Sequence, residues 1–164
     1  MPVGFKNNTD GNQQVAINAL QSARHPHAFV GINQEGMTSV VHTQGNPDCH
    51  IILRGGRTPN YDAASIHACE ELLRQAGLPP RIMVDCSHAQ TGKDYTRQPE
   101  VLANLVEQVR AGNDSIMGFM LESNLGAGNQ PLGAGLAYGV SITDACIDWE
   151  TTERCLTGAL TQLP

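Results

Sequence analysis

Short, unbroken apolar runs, spaced by stretches whose apolar residues recur at helical intervals, constrain this chain more than any other feature. Five such runs occur, at residues 2–5, 28–32, 50–53, 81–85 and 116–121. Runs of this length that do not alternate apolar with polar suit strands buried on both faces, and their alternation with helical segments predicts an α/β protein with a parallel sheet. Four helices fit between and after them. Asp10 and Gln13 resemble a capping box before the stripe Val15, Ala16, Ala19 and Leu20. Asp62 precedes a second helix with Ile66, Cys69, Leu72, Leu73 and Ala76 on one face, stopped by Gly77 and two prolines. Pro99 opens a third, whose buried face is Val101, Leu102, Leu105, Val106 and Val109, with Gly112 at its end. Ser141 or Thr143 is the expected cap of the last helix, with Ala145, Trp149, Leu156 and Leu160 inward. Residues 34–46 break the alternation and suggest an inserted hairpin. Residues 126–139 form a glycine-rich loop long enough to suggest a functional role.

Composition narrows the function. Sixteen acidic against ten basic residues give a net charge of −6, which disfavours a nucleic-acid partner, since phosphate backbones need a basic face. No run nears the roughly 18 apolar residues of a membrane helix, and the first residues lack the pattern of a secretory signal. A soluble, cytoplasmic protein with no membrane partner is expected. Five cysteines without a CxxC pair predict free thiols rather than a disulfide framework or a zinc ribbon.

Ligands of parallel α/β sheets bind beyond the carboxyl ends of the strands. Lys6, Arg54, His88 and Glu122 each follow an apolar run, and Asp144 is expected at the start of the last helix. An imidazole and two carboxylates form a nitrogen–oxygen donor set suited to a divalent metal, and the two cations suit a phosphate or carboxylate. Three of these residues also have a simpler explanation. His88 could be a loop hydrogen-bonding residue, Arg54 part of a glycine turn, Asp144 an acid favoured by a helix dipole. Glu122, after a buried strand, must be paired or functional. The remaining histidines are expected in structural or surface roles.

The strings PVGFKNNTDG, GNPDCHIILRGGRTPNY, MVDCSHAQTGK, MLES followed by GNQ, and AYGVSITDACIDWE resemble the class I, alpha-type 3-deoxy-D-arabino-heptulosonate 7-phosphate synthases, in family order and over nearly the whole chain. That resemblance implies a (β/α)8 barrel that condenses phosphoenolpyruvate with erythrose 4-phosphate, the first step of the shikimate pathway and of aromatic amino acid biosynthesis. It implies a divalent metal (Mn, Fe, Co or Zn) and a homo-oligomer at full length. By motif it makes Lys6 and Arg54 contacts to phosphoenolpyruvate and His88, Glu122 and Asp144 three of four metal ligands. Lys6, Arg54 and His88 would then be the catalytic set, with Asp144 also beside substrate.

The fourth family ligand, a cysteine, and the KPRT and GART segments belong to an amino-terminal half that the chain does not contain. Residues 1–164 therefore correspond to the carboxy-terminal part of one barrel domain, about strands 4 to 8 with their helices and an inserted hairpin. A misplaced start, a partial gene or an excised fragment is the expected explanation, and an inactive remnant with a binding or structural role is the alternative. Cys86, two residues before His88, offers a conceivable replacement thiolate. The resemblance also places the insert at residues 33–43, with Phe29, near a pocket for an aromatic amino acid inhibitor.

Overall fold

The structure is a computed structural model that describes residues 1–163. Its chain order is β1 (Val3–Lys6), α1 (Gln14–Arg24), β2 (Ala28–Ile32), β3 (Thr38–His42), β4 (Cys49–Leu53), α2 (Ala63–Gln75), β5 (Ile82–Asp85), α3 (Gln98–Arg110), β6 (Ile116–Met120) and α4 (Trp149–Gln162), with two short 3-10 turns between β5 and α3. Strands β1, β4, β5 and β6 pair in that order, all parallel, into one sheet.

Because side chains alternate across a strand, the register sorts the sheet into two faces. Phe5, Ile51 and Ile82 lie side by side, as do Leu53 and Val84. These residues join Ile17, Leu20, Ile66, Leu73, Val101 and Leu105 from the helices in one core. Lys6, Ile52, Met83 and Gly118 share the opposite face. Gly4 lies on that second face, where a Cβ would fall 2.4 Å from Ile52 Cδ1 and 2.7 Å from His50 Nε2. Only glycine lets those two side chains fold over β1.

The fold differs from the sequence expectation in three places. Residues 28–32 do form a strand, but β2 pairs antiparallel with β3 in a separate ribbon and lies outside the parallel sheet. The hairpin therefore begins at Ala28 and not at residue 34. Its apolar face is open, with Val30 at 73% exposure, so the continuous apolar run does not mark burial there. Local closure through the turn at Gly36 (φ 78°) competes well against a distant parallel partner. Within the sheet itself only β4 is buried at every position, whereas β1 and β6 are partly exposed.

Both helices at the chain ends also start later than expected. The first has Gln13 at its N-cap with no side-chain cap, and Ile17 replaces Val15 in its buried set. The last is capped by Asp148, whose carboxylate accepts from Thr151 N. Asp144 accordingly lies in a bend ahead of the helix. Trp149 and Leu160 are exposed, and Thr152 and Ala159 face inward. The second and third helices match expectation at Asp62, Pro99 and their buried faces, with Leu72 exposed and Val109 partly so.

Candidate active site

A network of buried amides ties the carboxyl ends of three strands together. Asn7 Oδ1 accepts from Arg54 N at 2.9 Å, and its Nδ2 donates to Gly55 O at 2.8 Å. Asn60 Oδ1 accepts from Gly55 N at 2.8 Å and from Gln90 Nε2 at 2.7 Å, while Gln90 Oε1 takes Asn60 N. Gln98 bridges to the fourth strand, accepting from Glu122 N at 2.8 Å and donating to Glu122 O at 3.0 Å. Buried amides must be satisfied, and here each satisfies the backbone next to an ionisable residue. Gly55 (φ 75°) permits the close approach of the turn after β5: a Cβ there would stand 2.7 Å from the Ala89 backbone.

That turn presents His88, which has φ 52°. Its Nδ1 lies 3.0 Å from Asp85 Oδ2 and 2.7 Å from Ser87 Oγ, and Ser87 Oγ donates to Asp85 Oδ1 at 2.7 Å. The serine proton is committed to Asp85, so the imidazole turns its Nδ1–H toward Asp85 and its Nε2 toward the cleft. Nε2 faces Glu122 Oε1 at 3.6 Å and Asp144 Oδ2 at 3.7 Å. Asp144 reaches the cluster through the pairing of Gly128 with Cys146 and the bond from Asn129 Nδ2 to Thr143 O. Lys6 donates its ammonium to Asp85.

Charge is unevenly shared. Asp85 is nearly fully buried, which favours the neutral acid, yet bonds from Lys6 and Ser87 outweigh that and hold its carboxyl below the usual range. Glu122 is pushed upward, first by burial and then by Asp144 and Asp85, against the pull of His88 and Lys6. Two carboxylates, Glu122 and Asp144, converge on His88 Nε2, and a cation among these donors offsets their mutual repulsion. One donor atom from each of His88, Glu122 and Asp144 lies within 4.8 Å of the others. Donors about 2.1 Å from a shared ion stand roughly 3.0–3.4 Å apart, so a small contraction of this trio would suit a divalent metal. Residues Ser87, His88, Lys93, Tyr95, Glu122, Asn129 and Asp144 line a cleft of about 290 Å³ here.

Four of the five expected residues thus meet: His88, Glu122 and Asp144 directly, and Lys6 through Asp85. Arg54 is placed at the carboxyl end of β4 by its backbone and does not line the cleft. Cys86 is excluded as a replacement thiolate. It is fully buried in the helix-facing core, its thiol pushed far up by burial, because the strand ends at Asp85 and the turn sends His88 elsewhere. All five cysteines are free. Sequence reasoning missed Asp85 and Ser87, although an acid ending a buried strand is itself a signal, and missed the amides, which had none.

Parallel strands with helices on one face define an α/β protein, and ionisable residues gathered at the carboxyl rim stand where such proteins bind ligands. The sequence matches the DAHP synthetase I family over residues 1–157, and the chain belongs to that family. It is 55% identical over 95% of its length to the Tyr-sensitive phospho-2-dehydro-3-deoxyheptonate aldolase of Escherichia coli (strain K12), and 50% identical over 94% to the Phe-sensitive one. Those matches span 45% of either relative. A relative from Enterobacter agglomerans is 53% identical and matched over 75% of its length. The solved phospho-2-dehydro-3-deoxyheptonate aldolase of Francisella tularensis SCHU S4 superposes with a TM-score of 0.90 at 41% identity, covering 98% of this chain and 47% of that one. The chain therefore spans about half the length of that structure.

Proposed function

We propose that residues 1–164 are the carboxy-terminal part of one (β/α)8 barrel domain that condenses phosphoenolpyruvate with erythrose 4-phosphate to give 3-deoxy-D-arabino-heptulosonate 7-phosphate. The outer strands β1 and β6, each paired on one side only within the parallel sheet, support the partial barrel. The observation that carries the function is the meeting of His88, Glu122 and Asp144 in a chain this similar to named aldolases. These three would hold a divalent metal (Mn, Fe, Co or Zn), which would supply Lewis acidity toward the aldehyde oxygen.

The chain's own residues do the rest. Asp85 and Ser87 fix the His88 tautomer and ring. Lys6 and Arg54 neutralise the phosphate and carboxylate of phosphoenolpyruvate and hold its C3 toward the aldehyde carbon; the new C–C bond forms there, the aldehyde oxygen takes a proton, and a water added at C2 replaces the phosphate that leaves. The complete protein is a cytoplasmic homo-oligomer. The alternative, a remnant without turnover, draws on the 45% coverage of the Escherichia coli relative.

Grafting residues 1–157 in place of the matching segment of that relative separates the two. The graft is expected to release phosphate from phosphoenolpyruvate when given erythrose 4-phosphate and manganese. A folded, metal-binding graft with no turnover would reject the synthase reading in favour of the remnant.

A further inference from the structure

The turn that delivers His88 holds a second non-glycine residue in the left-handed region of the backbone. Lys93 has φ 68°, and it and His88 are the two non-glycine residues with positive φ among those described. Gly92 before it is also left-handed (φ 64°), and Lys93 N closes the turn on His88 O at 2.9 Å. A glycine at 93 would form this turn with less strain, so the lysine side chain has a reason other than the fold. Its position supplies one. Lys93 lines the same cleft as His88, Glu122 and Asp144, together with Tyr95 and Asn129. No ion pair takes up its ammonium among the described residues, whereas Lys6 is bonded to Asp85 and Arg54 lies outside the cleft lining. Two carboxylates face the cleft, so an entering dianion meets repulsion that a cation at the cleft wall helps to offset.

We propose that Lys93 is a substrate contact at the wall of this cleft that binds a phosphate monoester, separate from the anion contacts Lys6 and Arg54. The assignment rests on the synthase reading for its substrates, phosphoenolpyruvate and erythrose 4-phosphate, each of which offers that group. Lysine acts as a flexible point charge toward phosphate, and the neighbouring Tyr95 hydroxyl can add a neutral donor.

Calorimetric titration of the purified chain with inorganic phosphate, phosphoenolpyruvate and erythrose 4-phosphate, with and without Mn²⁺, tests this. Lys93→Gln should weaken binding of at least one phosphate ester about tenfold, and Lys93→Arg should keep most of it. The ester that suffers identifies the substrate contacted. Lys93→Gly should lose the same affinity while melting no lower than the wild type, a combination that a purely structural lysine would not produce. Equal affinities in wild type and Lys93→Gln, or a wild-type chain that binds none of the three anions, would overturn the proposal. Mn²⁺ uptake, titrated separately, reports on His88, Glu122 and Asp144 alone, so its loss in the wild type would reject the metal site and leave the Lys93 comparison standing on the anion data.

Discussion

Asp85 is kept ionised within the sheet by Lys6 and by two bonds from Ser87, and it passes that order to His88 through Nδ1. Groups that orient a ligand's far nitrogen typically change metal affinity 10–100-fold. Asp85→Asn should therefore lower Mn²⁺ affinity by about that factor without touching a donor atom; undiminished affinity would remove Asp85 from the site. Lys6, Arg54, His88 and Glu122 were legible in the sequence because each comes after an apolar run, and parallel strands bring such ends to one rim. Asn7, Asn60, Gln90 and Gln98 were not legible. Amides in loops are common, and only the fold shows that these are buried against the backbone they satisfy.

Elements rest on similar buried polar contacts away from the cleft. Glu70 on α2 accepts from Ser115 Oγ at 2.6 Å and Asn113 Nδ2 at 3.0 Å, tying that helix to the turn before β6, with Arg74 alongside. Burial opposes its charge, but these bonds outweigh burial and hold its carboxyl below the ordinary value. A depressed carboxyl contributes stability that is complete above its unfolded pKa, about 4.3, and is lost as pH falls through the folded value. Glu70→Gln should cost about 2 kcal/mol at pH 7, and the gap to wild type in urea denaturation should narrow below about pH 4. A gap that does not change with pH would contradict this. The ribbon shows why apolar runs mislead at this scale. Residues 28–32 and 50–53 read alike, yet the first closes on a partner a short turn away and stays exposed, whereas β4 is enclosed between β1 and β5. The segment that succeeds each run decides where the strand pairs, and the run itself does not.

At the scale of the whole molecule, the sheet ends in β1 on one side and β6 on the other. The segment after β6 pairs with later chain only beyond the strand, where Ser123 meets Ile147. Unpaired edges bordered by apolar residues such as Val3, Phe5 and Phe119 invite pairing with another chain. The purified chain is expected to elute larger than a monomer in size-exclusion chromatography and to release no phosphate above background from its two proposed substrates. A monodisperse monomer turning over at about 1 per second or more, a rate ordinary for enzymes, would contradict both. Beneath these expectations lies the sharing of a single divalent cation by His88, Glu122 and Asp144. Calorimetric titration of Mn²⁺ into the chain and into His88→Ala tests it directly. One site per wild-type chain is expected, and its loss in the variant, with the fold retained by circular dichroism; equal Mn²⁺ binding by both proteins would contradict a shared ion.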